Sequence, residues 1–250
     1  MSLLDSPVAA QRALARLCAQ TPREFVGVAP GHTIALALTA LDPAMRAPLG
    51  VDAHLDSLCV IGSRVAAAPQ CFAADEAVKA TDTSFIHLEM PRDTEGDAGP
   101  GTLLFLGAQT AADAVRACEL TLTGVRDATM GNVFTNPAGH VECQFSAQAG
   151  EVLAGAFGAP RGQAFAIMVG APAPVGIIMA DAAAKAAAIE VTQMLSPAHG
   201  ISYSNEVITF FTGATAAVHT AVLTGREAGL CALGALEPSY APKPAGTPTL

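Results

Sequence analysis

Apolar positions in this chain fall in short blocks whose spacing alternates between a strand-like and a helix-like period. Residues 25–39 read as an apolar strand region, followed by an Asp42-Pro43 connection and a strand over 57–62. Helical spacing over about 69–81 leads to a strand at 84–89, a loop at 91–101 and a strand at 102–106. A helix then opens on Thr110, with Asp113 three residues on as its capping partner. The order returns further along: strand regions at 141–146 and 164–170, a helix at 175–188, a strand at 189–195, a loop at 196–204, a strand at 205–212 and a helix at 214–228. Ahead of both blocks, Ser6-Pro7 is an N-cap and first-turn signal. Val8, Leu14, Leu17 and Cys18 line one face of the short helix it opens, with Arg12 and Arg16 opposite, a form suited to docking.

The recurrence is literal. Sliding the chain by 106 residues lays Ala74-Asp75-Glu76-Ala77-Val78-Lys79-Ala80 on Ala180-Asp181-Ala182-Ala183-Ala184-Lys185-Ala186, since 181 − 75 = 185 − 79 = 106. The same slide puts Ile61 on Ile167, Pro91 on Pro197, Phe105 on Phe211, Gly107 on Gly213 and Ala111 on Ala217 without a gap between about 58 and 126. One folding unit is written twice. The expected division is an extension with a short helix at 1–23, a first domain at 24–130, a second at 131–237, and a disordered tail at 238–250, which is proline-rich and has no apolar period. Each unit reads as a ferredoxin-like α+β sandwich, an antiparallel sheet with helices over one side.

Composition narrows the function. The chain is 51% hydrophobic and only 14% charged, against about a quarter charged in ordinary soluble domains, so part of the apolar surface is expected to face partner subunits. A net charge of −9 with no Lys/Arg cluster argues against nucleic acid and anionic membranes as partners. The apolar run 164–180 is broken by Gly170, Pro172, Pro174 and Gly176 and is no membrane span, and the N-terminus carries no secretion signal; a cytosolic location is expected. The six cysteines are scattered without C-x-x-C and the six histidines lack metal-ligand spacing, so buried thiols, no metal and no cofactor are expected. The alanine-packed helix at 180–188 can lie close against a sheet or against a neighbouring subunit; residue type alone does not separate the two.

The block from Met179 to Ala187, the Ser-Pro-Ala-His-Gly loop at 196–200 and the strand-Gly-helix segment 207–228 resemble the shell-protein domain of bacterial microcompartments, with residues 73–80 as a first copy. Two copies in one chain, with Pro91-Arg92-Asp93-Thr94 in the first loop and Ser204-Asn205-Glu206-Val207 after the second, are similar to the tandem-domain trimeric shell proteins (PduB-like) of propanediol- and ethanol-utilisation compartments, over residues 24–236. That resemblance implies permuted domains, with a rearranged order of strands relative to single-domain shell proteins, and a non-catalytic structural protein. Its homotrimers would form pseudohexagonal plates that tile with other shell proteins and pass small uncharged metabolites such as diols, glycerol or alcohols. It implies a microcompartment-shell location in the cytoplasm and encapsulated enzymes as partners of the N-terminal extension. Asp75, Lys79, Asp181 and Lys185 would lie at the plate edge. Arg92, Asp93, Thr94, Glu95 and Asp97 of one loop, and His199, Ser202, Tyr203, Ser204 and Asn205 of the other, would line the pore.

Residue chemistry fits that picture. The segment 91–97 carries one positive and three negative charges, whereas 197–204 carries none at neutral pH, so three chains would alternate acidic and neutral loops around one axis. Such a lumen should pass neutral polyols and hinder anions. An enzyme is the first rival, but no G-x-S-x-G, P-loop or G-x-G-x-x-G is found, and Cys71, placed just before a helix, is expected to be buried and not activated. A trimeric ferredoxin-like small-molecule sensor is the second rival, which fold alone does not exclude.

Overall fold

The computed structural model describes residues 7–91, 100–200 and 204–245. Helix α1 (Pro7–Cys18) precedes a first sheet of strands β1 (Phe25–Ala29), β2 (Thr33–Leu38), β3 (Ser57–Ser63), β4 (Thr83–Glu89) and β5 (Thr102–Ala108), in the order β1-β2-β3-β5-β4. Its helices are α2 (Pro43–Leu49), α3 (Ala68–Lys79) and α4 (Ala111–Gly124), the last running on through a π-helical turn, Val125–Thr129. The second sheet comprises β6 (Val133–Asn136), β7 (Gly139–Ser146), β8 (Ala164–Ala171), β9 (Ile189–Leu195), β10 (Val207–Gly213) and β11 (Lys243–Pro244), in the order β11-β6-β7-β8-β10-β9. Helices α5 (Glu151–Phe157), α6 (Ala173–Ala186) and α7 (Thr215–Leu236) belong to it. All strand pairs are antiparallel, giving two α+β units of one topology.

The units correspond element by element, but not at one constant offset. Helices α2 and α5 are 108 apart (151 − 43) and α3 and α6 are 106 apart at their shared Asp and Lys (181 − 75). Strands β3 and β8 are 107 apart, because Ile61 pairs with Ala35 and Leu104 as Met168 pairs with Cys143 and Thr209. Strands β5 and β10 are 105 apart, because Leu106 opposes Phe85 as Phe211 opposes Val191. The first buried residues of α4 and α7, Ala114 and Val218, are 104 apart. The first unit thus has one extra residue in each of four connections. The ungapped slide of 106 is corrected here. It superposes Ile61 on Ile167 and Phe105 on Phe211, and in a strand a one-residue slip turns a side chain to the opposite face. Ile61 shares a core with Ala117 and Cys118 of α4, but in the second unit it is Met168, not Ile167, that packs with Val218 and Val222 of α7.

Two short helices replace expected connections. At α2, Asp42 accepts the Ala44 N–H at 2.8 Å, Pro43 supplies the first helical residue, and Gly50 closes the helix at φ 65°. Its counterpart α5 ends on Gly158 at φ 68°. The tail expected as coil instead adds β11 to β6, with Ala245 buried. Helix α7 runs eight residues beyond the expected end at 228, to Leu236.

Packing inside the second unit explains much of the alanine. A methyl on Gly225 of α7 would come within 2.6 Å of Met168 Sδ and 2.9 Å of the Met179 carbonyl oxygen, and one on Gly170 would strike the backbone of Gly176. Helix α6 is therefore pressed against both β8 and α7, with Ala180 and Ala183 buried between them. The first unit's core continues into the second. Phe72 of α3 stacks on Phe165 of β8 with ring centroids 6.3 Å apart, and Phe165 leans on Phe210 of β10 at 6.2 Å.

Candidate functional site

The junction between the two units is organised by one acid. Asp75, on the third turn of α3, is wholly buried and accepts the N–H of Gly150 at 2.8 Å and of Leu153 at 3.1 Å, so it caps the N-terminus of α5 in the other unit. Lys79, one turn on, pairs with Asp75 at 2.9 Å and Glu76 at 2.6 Å and donates to the Gln148 carbonyl at 2.6 Å. Burial pulls the Lys79 ammonium down, but the hydrogen bonds and charges of Glu76 and Asp75 outweigh it and hold its pKa above the ordinary value. Glu151 of α5 returns the contact by accepting the N–H of Phe85 on β4, at 2.7 Å. The units meet closely at Gly150: a methyl there would lie 2.7 Å from Lys79 Cε and 2.8 Å from Asp75 Oδ1, so both side chains would have to shift to admit it.

Asp75 therefore sits inside the chain and not on an outer edge, a correction to the position implied by resemblance. Lys79 bridges the junction where it reaches solvent. Asp181 and Lys185, their repeats, are exposed and, among the described residues, pair with each other at 2.7 Å. The structure thus does not bring the four edge residues together: one pair is internal, the other free for contact.

The two connections assigned to the pore join β4 to β5 and β9 to β10, equivalent places in the two sheets. Arg92, Asp93, Thr94, Glu95, Asp97, Ser202 and Tyr203 lie outside the described residues. His199 is exposed in a tight turn, its backbone exchanging two hydrogen bonds with Ser196. Ser204 is half-buried. Asn205 is engaged: its side-chain carbonyl accepts the Ala173 N–H at 3.2 Å and so satisfies the start of α6.

Sequence reading missed a polar row facing the junction from the second sheet. His140, Glu142 and Gln144 alternate along β7 with Val141 and Cys143, which face the helices; all three are buried, and that polar–apolar alternation was the available signal. Gln144 donates to the Thr129 carbonyl at 2.9 Å, and His140 Nε2 lies 3.6 Å from the buried Glu206. Glu142 Oε1 has no hydrogen-bond partner among the described residues. It lines a small cavity with Met90 and Pro100, at the two ends of the first loop, and with Ile167 and Phe210. Burial first, and the Glu206 carboxylate second, push Glu142 up to about 8.

The thiols divide. Cys59, Cys71, Cys118 and Cys143 are buried, while Cys18 and Cys231 are exposed, against the expectation of uniform burial. Cys71 lies inside the first turn of α3, and burial, with Glu142 and Asp75 nearby, raises its pKa far above that of a reactive thiol. Among the described residues no helix is long and apolar enough to cross a membrane.

Comparison with known proteins agrees with this architecture. The model of the BMC domain family matches residues 164–240. A bacterial microcompartment shell protein PduB from Citrobacter freundii is 44% identical over 233 residues, 93% of this chain and 85% of the relative. A crystal structure of a trimeric bacterial microcompartment shell protein PduB superposes with a TM-score of 0.83 at 37% identity, covering 88% of this chain and 96% of that one. EtuB from Clostridium kluyveri superposes with a TM-score of 0.86 at 41% identity, covering 92% of this chain and all of the other. With its buried inter-unit acid, its two units of one topology and relatives that match along nearly its whole length, the chain belongs to the bacterial microcompartment shell proteins of the tandem-domain kind.

Proposed function

We propose that three copies of this chain close a pseudohexagonal plate of a microcompartment shell in the cytoplasm, and that the plate carries a passage for small uncharged metabolites such as diols, glycerol or alcohols. The observation that carries the reading is the pairing of two same-topology units through a satisfied junction inside the chain, while the second unit offers the repeated residues to solvent. A unit whose contact surface is filled on one side and open on the other is built for ring closure. The β4–β5 and β9–β10 connections would border the opening, giving alternating acidic and neutral loops. The part-exposed stem of Lys79 and the exposed stem of Lys185, where each seam meets the outside, are where plates would abut. The plate itself is non-catalytic. Helix α1, with Leu14 and Leu17 exposed, is the surface that encapsulated enzymes would meet.

Negative-stain imaging of concentrated protein should show flat sheets or tubes, whereas discrete particles alone would remove the plate. The passage has its own test. Asp93→Asn, Glu95→Gln and Asp97→Asn together should raise leakage of a small organic anion relative to a polyol; equal leakage before and after takes the first loop out of the lumen.

A further inference from the structure

We infer that the α6–β9 face of the second unit docks onto the α2 side of the first unit of another copy, placing Lys185 beside Asp42 of that copy. This rests on the plate reading above and adds the surface, its residues and their charge pairing. At the shared offset of 106, the first-unit side chains that bury against the second unit have counterparts that are open. Phe72 is 4% exposed and its counterpart Ile178 (178 − 72 = 106) is 47% exposed; buried Cys71 corresponds to exposed Ile177, and half-buried Phe85 and Leu88 correspond to exposed Val191 and Met194. The receiving side behaves alike. Leu153 of α5 is fully buried against α3, whereas its counterpart at the α2/α5 offset of 108, Met45, is 46% exposed. Val60, Leu103 and Leu49, which pack on the first unit's Leu58 and Phe105 cluster, are only partly buried. An open apolar face and an open apolar receiver, each the repeat of a partner already joined inside the chain, fit a head-to-tail contact between identical copies.

The second seam differs from the first at one point. The residue that donates its N–H to Asp75 is Gly150, and its counterpart is Asp42 (150 − 42 = 108), whose carboxylate already caps α2. Asp181 would therefore meet a second carboxylate on the receiving unit, where Asp75 meets the N–H groups of Gly150 and Leu153. Lys79 reaches the Gln148 carbonyl, two residues before Gly150, which places the Lys185 ammonium at residues 40–42 of the next copy, between the two acids. The seam between copies thus depends on one lysine neutralising two carboxylates and weakens with salt, while the seam inside the chain is buried and does not.

Light scattering on size-exclusion fractions, with circular dichroism to confirm folding, tests this. Ile178→Arg and Lys185→Glu alter exposed positions and should leave spectra unchanged while raising the concentration for half-dissociation of the trimer by about tenfold or more. Lys185→Glu combined with Asp42→Lys should recover most of that loss, and raising salt should dissociate wild type more than Lys185→Met. Native-like spectra with undiminished trimer in both single variants would overturn the assignment, as would a double variant no better than Lys185→Glu, and in either case sheets in micrographs would leave the plate standing. A wild-type chain that is itself monomeric would overturn the plate and the seam together.

Discussion

Replacing Glu142 with Gln isolates the cost of a buried acid at the junction. The side chain is 2% exposed, its Oε1 has no hydrogen-bond partner among the described residues, and Glu206 adds like charge, with His140 beside Glu206 and the Cys71 and Cys143 thiols nearby. The folded carboxyl holds its proton up to about pH 8, while the unfolded one releases it near its ordinary value of 4.5. Between those values the native state binds more protons than the unfolded state, so stability falls as pH rises, by about 1.4 kcal/mol per unit. From pH 5.5 to 7.5 that amounts to about 3 kcal/mol, or about 6–12 °C in Tm for a chain of this size. Gln keeps the shape and cannot ionise. Thermal melts of both proteins at one concentration should diverge as pH rises, with E142Q the more stable by that margin at pH 7.5 and near wild type at pH 4.5. Parallel Tm curves across the window would refute the buried neutral acid.

Asp75→Ala strands the buried N–H groups of Gly150 and Leu153 and leaves Lys79 without its buried counter-ion; denaturant unfolding should show a loss of about 3–5 kcal/mol, and a loss below 1 would mean that the junction does not depend on this residue. Gly225→Ala forces a methyl against Met168 and Met179, with about 1–3 kcal/mol of destabilisation expected from the same measurement; a neutral result would mean that α6 and α7 separate freely. A thiol reagent should label no more than Cys18 and Cys231 in native protein and all six cysteines once unfolded, and fast native labelling of Cys71 would contradict its burial.

The fold was largely legible because duplication doubles each signal: strands β3–β5 and β7–β10, helices α3, α4 and α6 and the Thr110 cap lie where apolar period and capping residues put them, whereas the apolar region 25–39 is split into the β1–β2 hairpin and β6 and β11 were not expected. The offsets were not. Alanine-rich blocks tolerate a one-residue slide without visible penalty, and only the alternation of Ile61 against Met168 about the helices reveals that the register shifts by one at four of the connections. Helix α2 was announced by Asp42, Pro43 and Gly50, but seven residues are too few for a helical period to stand out. The junction was opaque for a different reason. Asp75 and Asp181 open the same Asp-x-x-x-Lys spacing on their helices, yet one is buried and one exposed, because the N–H groups that bury Asp75 lie 75 residues away at the start of α5 and not in the helix that carries it.

That asymmetry is what joining two units in one chain makes possible. In a ring of six identical subunits every seam must tolerate the same residues, so a change that strengthens one strengthens all. Here the internal seam forms at the high effective concentration of a linked pair and can rest on buried groups: Phe72 on Phe165, and Asp75 on two backbone N–H groups. Its repeat presents Ile178 and an exposed Asp181–Lys185 pair, less buried and more dependent on charge, as suits a contact that must form last and between separate molecules. The buried acid Glu142 is confined to the internal seam as well: the offset of 108 puts apolar Ile34 in its place, while His140 keeps a histidine counterpart, the exposed His32. In the proposed assembly stability rests in the internal seam and association in the outer one, so conditions that loosen the trimer, such as salt, should act well before those that unfold the chain.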